Sequence, residues 1–269
     1  VDSLARVDDW PVETVAAAVV TAEDTATHGP TDRRFRLASV TKPLVAIAAL
    51  LAVEEEAISL DDPAGPEGST VRHLLAHTSG LAFNEQKAMA EPGTRRLYSS
   101  AGFEVLADHI AASTGIDFPD YLREAVCEPL GMGSTSLEGS AGHGATSTVD
   151  DLVLLARELL TPSLLAPETL AEATSVQFPG LTGVLPGLGY QKPNDWGLGF
   201  ELRDHKSPHW TGADSSPATF GHFGQSGTFL WVDPDARAAC VVLTDRDFGD
   251  WAKEAWPPFT DAVLAELRS

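Results

Sequence analysis

Strand-like segments stand at both ends of this chain with a helical stretch between them, and that distribution limits the fold more than any other feature. Near the start, residues 14–20 (TVAAAVV) are continuous and apolar, 24–28 are polar and end in a Gly29-Pro30 turn, and 34–37 (RFRL) alternate. Near the end, 196–202 (WGLGFEL), 227–232 (GTFLWV) and 238–244 (AACVVLT) read as strands, the last two joined by a turn at Asp233-Pro234-Asp235. Between them, 70–77, 101–114, 119–126 and 148–160 read as helices, with Gly80, Pro92-Gly93, Gly115 and Gly131 in the turns and Ser69-Thr70 and Ser147-Thr148 as caps.

The expected fold is therefore α+β: an antiparallel β-sheet built from N- and C-terminal segments, flanked by helices, with an inserted, mostly helical lobe. It is read as one domain over 1–269. The sheet lobe takes about 1–60 and 190–269, and the helical lobe about 61–160. A Pro/Gly-rich segment over about 161–195 forms a short helix and then loop. A terminal amphipathic helix over about 250–267 is expected to be interrupted at Pro257-Pro258.

Charge and composition exclude several functions. With 18 Lys+Arg against 39 Asp+Glu, the formal charge is −21, and no cluster of cations exists to meet a nucleic-acid backbone or an anionic membrane. The most apolar run, 44–53 (LVAIAALLAV), is about half of the ~20 residues a membrane span needs. The start, VDSLARVDDW, has no basic stretch followed by an apolar one, so no signal peptide is visible and a cytoplasmic location is favoured over a secreted one. Cys127 and Cys240 lack metal or redox spacing and read as two buried thiols, with a disulfide between them as the alternative. The oligomeric state is left open.

Chemistry concentrates at Ser39-Val40-Thr41-Lys42, an S-x-x-K that opens a long apolar helix, with Ser39 placed as its N-cap. Residues three apart share a helix face, so the Lys42 amine reaches the Ser39 hydroxyl. A serine hydroxyl is a poor nucleophile until an adjacent base takes its proton, and a lysine serves as base once burial or a neighbouring cation lowers its pKa. Two further elements accompany it: Tyr98-Ser99-Ser100, and His222-Phe223-Gly224-Gln225 leading into FLWVDP.

ASVTKPLVA, LLAHTSGL, PGTRRLYSSAGFEVLADHI, PLGMGST, WGLGF and FGHFGQSGTFLWVDP occur in this order over about 34–245. Together they closely resemble the serine β-lactamase, penicillin-binding protein and esterase superfamily, in its class C β-lactamase-like branch. The resemblance implies that Ser39 is the acylated nucleophile, Lys42 its hydrogen-bonded lysine and Tyr98 a proton shuttle. It further implies that His222-Phe223-Gly224 is the element on the sheet edge facing the nucleophile, and that the backbone N–H groups of Ser39 and Gln225 form the oxyanion hole.

The sequence departs from the family pattern at Ser100, where an asparagine usually contacts the substrate amide. It departs again at His222 and Phe223, where a cation and a hydroxyl usually receive a carboxylate. Ser100, Phe223 and Gly224 are the expected substrate-binding positions. The departures favour a small uncharged ester or amide over penicillin or D-Ala-D-Ala substrates. The alternatives are a β-lactamase or D-Ala-D-Ala carboxypeptidase and, from another class, a non-catalytic ligand-binding or sensor domain, which an intact Ser39, Lys42 and Tyr98 opposes.

No cofactor is implied, since neither a P-loop nor a G-x-G-x-x-G after a strand occurs. His73 and His77 have metal-ligand spacing but lack the glutamate of H-E-x-x-H, and the segment reads as a structural turn. His205 and His209 read as surface residues in a polar loop. Trp196, Trp231 and Phe229 read as core.

Overall fold

The structure is a computed structural model and describes residues 1–268. Its strands are β1 (Val15–Thr21), β2 (Thr25–His28), β3 (Phe35–Arg36), β4 (Ser136–Leu137), β5 (Ala145–Ser147), β6 (Gly183–Leu185), β7 (Gly189–Gln191), β8 (Glu201–Leu202), β9 (Phe220–Gly224), β10 (Thr228–Asp233) and β11 (Ala238–Thr244). The helices are α1 (Thr41–Glu54), α2 (Val71–Leu75), α3 (Ser100–Thr114), α4 (Phe118–Leu122), α5 (Glu128–Leu130), α6 (Val149–Leu160), α7 (Pro167–Ala173) and α8 (Asp250–Leu267).

The main sheet is antiparallel in the order β2-β1-β11-β10-β9-β8. It joins the two ends of the chain through β1 and β11, with Val15 opposite Thr244 and Thr21 opposite Ala238. The continuous apolar runs follow from burial on both faces. Ala16, Ala18 and Val20 of β1, with Val241 and Leu243 of β11, pack into one core with α1, α3 and α6. Val15, Ala17 and Val19, with Cys240 and Val242, pack into the other against α8 and the 3-10 segment Asp2–Asp9.

Four local expectations are corrected. Phe35–Arg36 leaves the main sheet and pairs with Ser147 and Thr146 of β5, which delivers the chain to the turn before α1. Of 196–202 only Glu201–Leu202 is strand. Gly199 there has φ +81 and lies so close to α1 that a Cβ would stand 2.3 Å from that of Ala46, so WGLGF is irregular because it packs on a helix. α8 runs unbroken through Pro257 and Pro258. The missing N–H groups forfeit bonds to the carbonyls of exposed Lys253 and Glu254, while Trp256, Phe259, Val263 and Leu264 are buried and hold the helix on the sheet. The segment after α7 is not all loop, since β6 and β7 form a hairpin there.

Candidate active site

Ser39 does not cap α1. It lies in a 3-10 turn, Ala38–Val40, that feeds the helix, and neither the turn nor the helix has a side-chain cap. Ala38 has φ 45, a region costly for a residue with a Cβ, so the backbone is strained just before the serine. Gly224, at the end of β9, approaches this turn so closely that a Cβ would meet Leu37 O at 2.3 Å. The absence of a side chain at Gly224 therefore sets the distance between sheet edge and serine.

Lys42, in the first turn of α1, is fully buried. Its Nζ lies 3.3 Å from Ser39 Oγ, 3.1 Å from Ser100 Oγ and 2.7 Å from the carbonyl of Gly142. Burial pushes its pKa well below the ordinary lysine value, with Glu104 pulling weakly the other way. A neutral amine has two N–H donors and one lone pair, and the surroundings match. The Gly142 carbonyl and Ser100 hydroxyl accept, which turns the lone pair toward Ser39. Tyr98 donates its O–H to Ser39 Oγ at 2.7 Å, and burial raises its pKa, the Ser39 hydrogen bond only partly offsetting that. The pair is thus split, with the amine made more available as a base and the phenol kept protonated.

His222 is buried on β9, with Nδ1 2.7 Å from the carbonyl of Phe223 and Nε2 3.4 Å from Tyr98 OH. A carbonyl only accepts, so Nδ1 carries the proton and Nε2 faces the tyrosine oxygen unprotonated, while the phenol proton goes to Ser39. Burial, ahead of the repulsion that an ammonium at Lys42 would add, pushes the His222 pKa down to about 3. His222 is therefore neutral at ordinary pH and supplies no cation.

Ser39, Tyr98, His222, Phe223 and Gln225 line one cavity of about 80 Å³, together with Phe83, Leu185, Pro186, Trp196, Glu201 and Phe248. Ser100 and Gly224, expected at the substrate, are both buried. Ser100 is turned onto Lys42 and Gly224 onto the Leu37 backbone, outside that lining. Phe83, Tyr98 and Pro186 also border an outer groove of about 480 Å³ that adds Leu81, Met89 and Val184. Phe83, Met89 and Val184 are each more than half uncovered or nearly so, at 50%, 59% and 55%.

Several contributors carry no motif signal. The Gly142 carbonyl is a backbone group, visible only once the chain is folded. Glu201 is buried in the cavity wall, where Lys206 donates to it, His209 Nε2 lies 2.8 Å away and Trp210 Nε1–H donates at 2.9 Å. Those partners overcome the cost of burial and hold its pKa down to about 2. His209 is thus a buried partner of Glu201 and not a surface residue, whereas His205 is exposed. His73 and His77 do not share a helix face, because α2 ends at Leu75 and His77 has φ 57. Trp231 and Phe229 lie in the core and Trp196 in both core and cavity wall. Cys127 and Cys240 are buried free thiols. Among the described residues no group of three His, Cys, Asp or Glu is placed to hold a metal, and no helix is long and apolar enough to cross a membrane.

The lowered histidine pKa has a consequence for stability. Below its unfolded pKa near 6.5 the unfolded chain binds a proton that native His222 refuses until about 3. Stability therefore falls as pH drops through this window. Thermal melts from pH 7 to pH 4 are expected to show a falling Tm, with a shallower fall in His222→Gln; an equal slope in both would refute the assignment.

Residues 7–265 match the family described as Beta-lactamase. A crystal structure of a beta-lactamase from Mycobacterium bovis aligns with a TM-score of 0.98 at 62% identity, covering 98% of this chain and 99% of that one. Penicillin-binding protein 4* of Bacillus subtilis is 29% identical over 138 residues, 39% of this chain and 31% of that protein. Esterase EstB of Burkholderia gladioli is 36% identical over 155 residues, 45% of this chain and 36% of that protein. The matches span about a third of the length of these curated relatives.

Proposed function

This chain belongs to the beta-lactamase family of serine hydrolases, and we propose that it hydrolyses small uncharged carboxylic esters through an acyl-enzyme on Ser39. As Ser39 Oγ bonds to the ester carbonyl carbon, its proton passes to the lone pair of Lys42. The carbonyl becomes an oxyanion facing the N–H groups of Ser39 and Gln225. Collapse breaks the bond to the alcohol oxygen, which takes the Tyr98 proton, and the Lys42 ammonium restores the phenol. Water then repeats the sequence on the acyl-enzyme, losing a proton to Lys42, and the departing Ser39 oxygen is protonated through Tyr98. His222 Nε2, unprotonated and 3.4 Å from Tyr98 OH, leaves the tyrosine's proton to Ser39, and Phe223 supplies an apolar wall.

The observation that carries the ester reading is the character of the wall around Ser39. It offers a neutral His222 and the aromatic or aliphatic surfaces of Phe83, Leu185, Pro186, Phe223 and Phe248. The carboxylate in that wall, Glu201, already holds the Lys206 ammonium, so that cation is not offered to a substrate carboxylate. A β-lactam would bring an anion into this setting, whereas an ester brings none. Esterase EstB, by its name, supports the same reading. The second reading, β-lactam hydrolysis, is favoured by the structure from Mycobacterium bovis, which is described as a beta-lactamase.

Two assays decide. Short p-nitrophenyl esters are expected to be turned over with a higher kcat/KM than a chromogenic cephalosporin, and efficient cephalosporin turnover without ester turnover overturns the ester reading. Mass spectrometry after fluorophosphonate treatment is expected to show one adduct, on Ser39, that is lost in Ser39→Ala. An adduct that persists in that variant removes Ser39 from its role.

A further inference from the structure

We propose that His77 is the positioning residue for Tyr98, holding the phenol against Ser39 by clamping the backbone on both sides of it. The carbonyl of His77 accepts from the N–H of Leu97 at 2.9 Å, and its Nδ1 accepts from the N–H of Ser99 at 3.1 Å. These are the two neighbours of Tyr98. The His77 ring then lies along the tyrosine ring, with centroids 4.5 Å apart and planes at 37°. Trp196 closes the far side edge-on at 4.7 Å, and Phe103 packs at 5.4 Å. One residue thereby fixes the peptide before Tyr98, the peptide after it and the tilt of its ring.

The arrangement carries costs that simple packing would avoid. His77 has φ 57, unfavourable for a residue with a side chain. It is 1% exposed, and its Nε2 has no hydrogen-bond partner, although buried donors are normally paired. An amide N–H always donates, so Nδ1 must be unprotonated and the proton must sit on the unpaired Nε2. Burial above all, with the Arg96 charge adding to it, favours the neutral ring. A leucine or phenylalanine would fill the space without an unpaired donor, but neither could accept from Ser99. Strain, an orphaned donor and a required tautomer at one position, in contact with the residue bonded to Ser39, mark a residue kept for geometry. His77→Asn offers Oδ1 near the place of Nδ1 and tolerates positive φ, so it is the variant that can restore the clamp.

The proposal rests on the reading of Tyr98 as the proton donor at Ser39, and a double-mutant cycle separates the two. His77→Phe is expected to lower kcat on a p-nitrophenyl ester and the rate of fluorophosphonate labelling of Ser39 together, by about 10- to 100-fold, with KM nearly unchanged, as a displaced catalytic group would. His77→Asn is expected to recover most of that loss. In a Tyr98→Phe background, where the hydroxyl is already absent, the His77 substitutions are expected to change the residual labelling rate less than three-fold. Losses that multiply in that background, a change confined to KM, or equal losses in His77→Asn and His77→Phe overturn the positioning role. Unchanged activity in Tyr98→Phe alone instead overturns the reading of Tyr98. Should His77→Phe not fold, the cycle is closed with His77→Asn against His77→Gln, whose longer side chain places its oxygen beyond the Ser99 N–H.

Discussion

Replacing Lys42 with methionine is expected to lower kcat/KM on a p-nitrophenyl ester by about 10²- to 10⁴-fold, the range over which a positioned general base acts. The size of the loss follows from the arrangement around Nζ. With Tyr98 held protonated, the Lys42 lone pair is the base within reach of the Ser39 hydroxyl, and methionine removes it while keeping the length of the chain. The wild-type rate should rise with pH through the lowered Lys42 pKa, since the neutral amine is the working form. That limb should disappear in the variant. Stability should change little, because two effects oppose each other: a costly buried amine is removed, and the Gly142 carbonyl and Ser100 hydroxyl lose their partner. A Tm within a few degrees of wild type, with the rate loss intact, is the expected result. Activity within ten-fold of wild type would remove Lys42 from the reaction.

The second large effect belongs to a residue that touches no substrate. Arg96 is 1% exposed, and its guanidinium spends its donors on four carbonyls. Nε donates to Asn194 at 2.9 Å, Nη1 to Ala76 at 2.6 Å, and Nη2 to Gln177 and Phe178 at 2.8 and 3.0 Å. Asp195 lies 3.9 Å away. Burial lowers the Arg96 pKa to about 10, which leaves it charged at neutral pH. Arg96→Met would strand these acceptors and the carboxylate, and breaking a buried pair in this way costs about 3–5 kcal/mol. The expected drop in Tm is about 5–10 °C for a chain of this size. Arg96→Lys should recover only part of it, because a point-like ammonium cannot reach four carbonyls set around a planar fork. A loss below about 2 °C would show that water replaces the guanidinium. Arg96 also donates its backbone N–H to Thr182 beside the β6–β7 hairpin, and it lies two residues before Tyr98, so the loss should reach the rate as well.

The parts of this molecule that were legible beforehand are those in which one residue type answers one physical demand. The runs at 14–20 and 238–244 read as strands because each buries both faces. Ser39, Lys42 and Tyr98 stood out as an ordered set of polar side chains, and the fold brings Lys42 and Tyr98 within hydrogen-bond reach of Ser39. What escaped the reading depends on neighbours distant in the chain. The Gly142 carbonyl that orients the amine has no side chain to announce it. His77 looked like part of a turn because its use depends on where Leu97 and Ser99 end up. His209 looked like a surface group because its partner Glu201 was counted as part of a strand. Helix α8 was expected to break because local rules weigh prolines without weighing the aromatic surface that holds the helix down.

The pairing of β1 with β11 also governs when this site can exist during folding. Contacts between distant parts of a chain form slowly, because the intervening loop must first be closed. The turn carrying Ser39 follows β1 and β3, while the residues that face it, His222 through Gln225, belong to the hairpin of β9 and β10 that sits beside β11. The serine keeps its opposite wall in a sheet that Val15 and Thr244 close from the two ends of the chain. On the proposed role of Ser39, ester turnover is therefore expected to return late on refolding, after the helical signal has recovered.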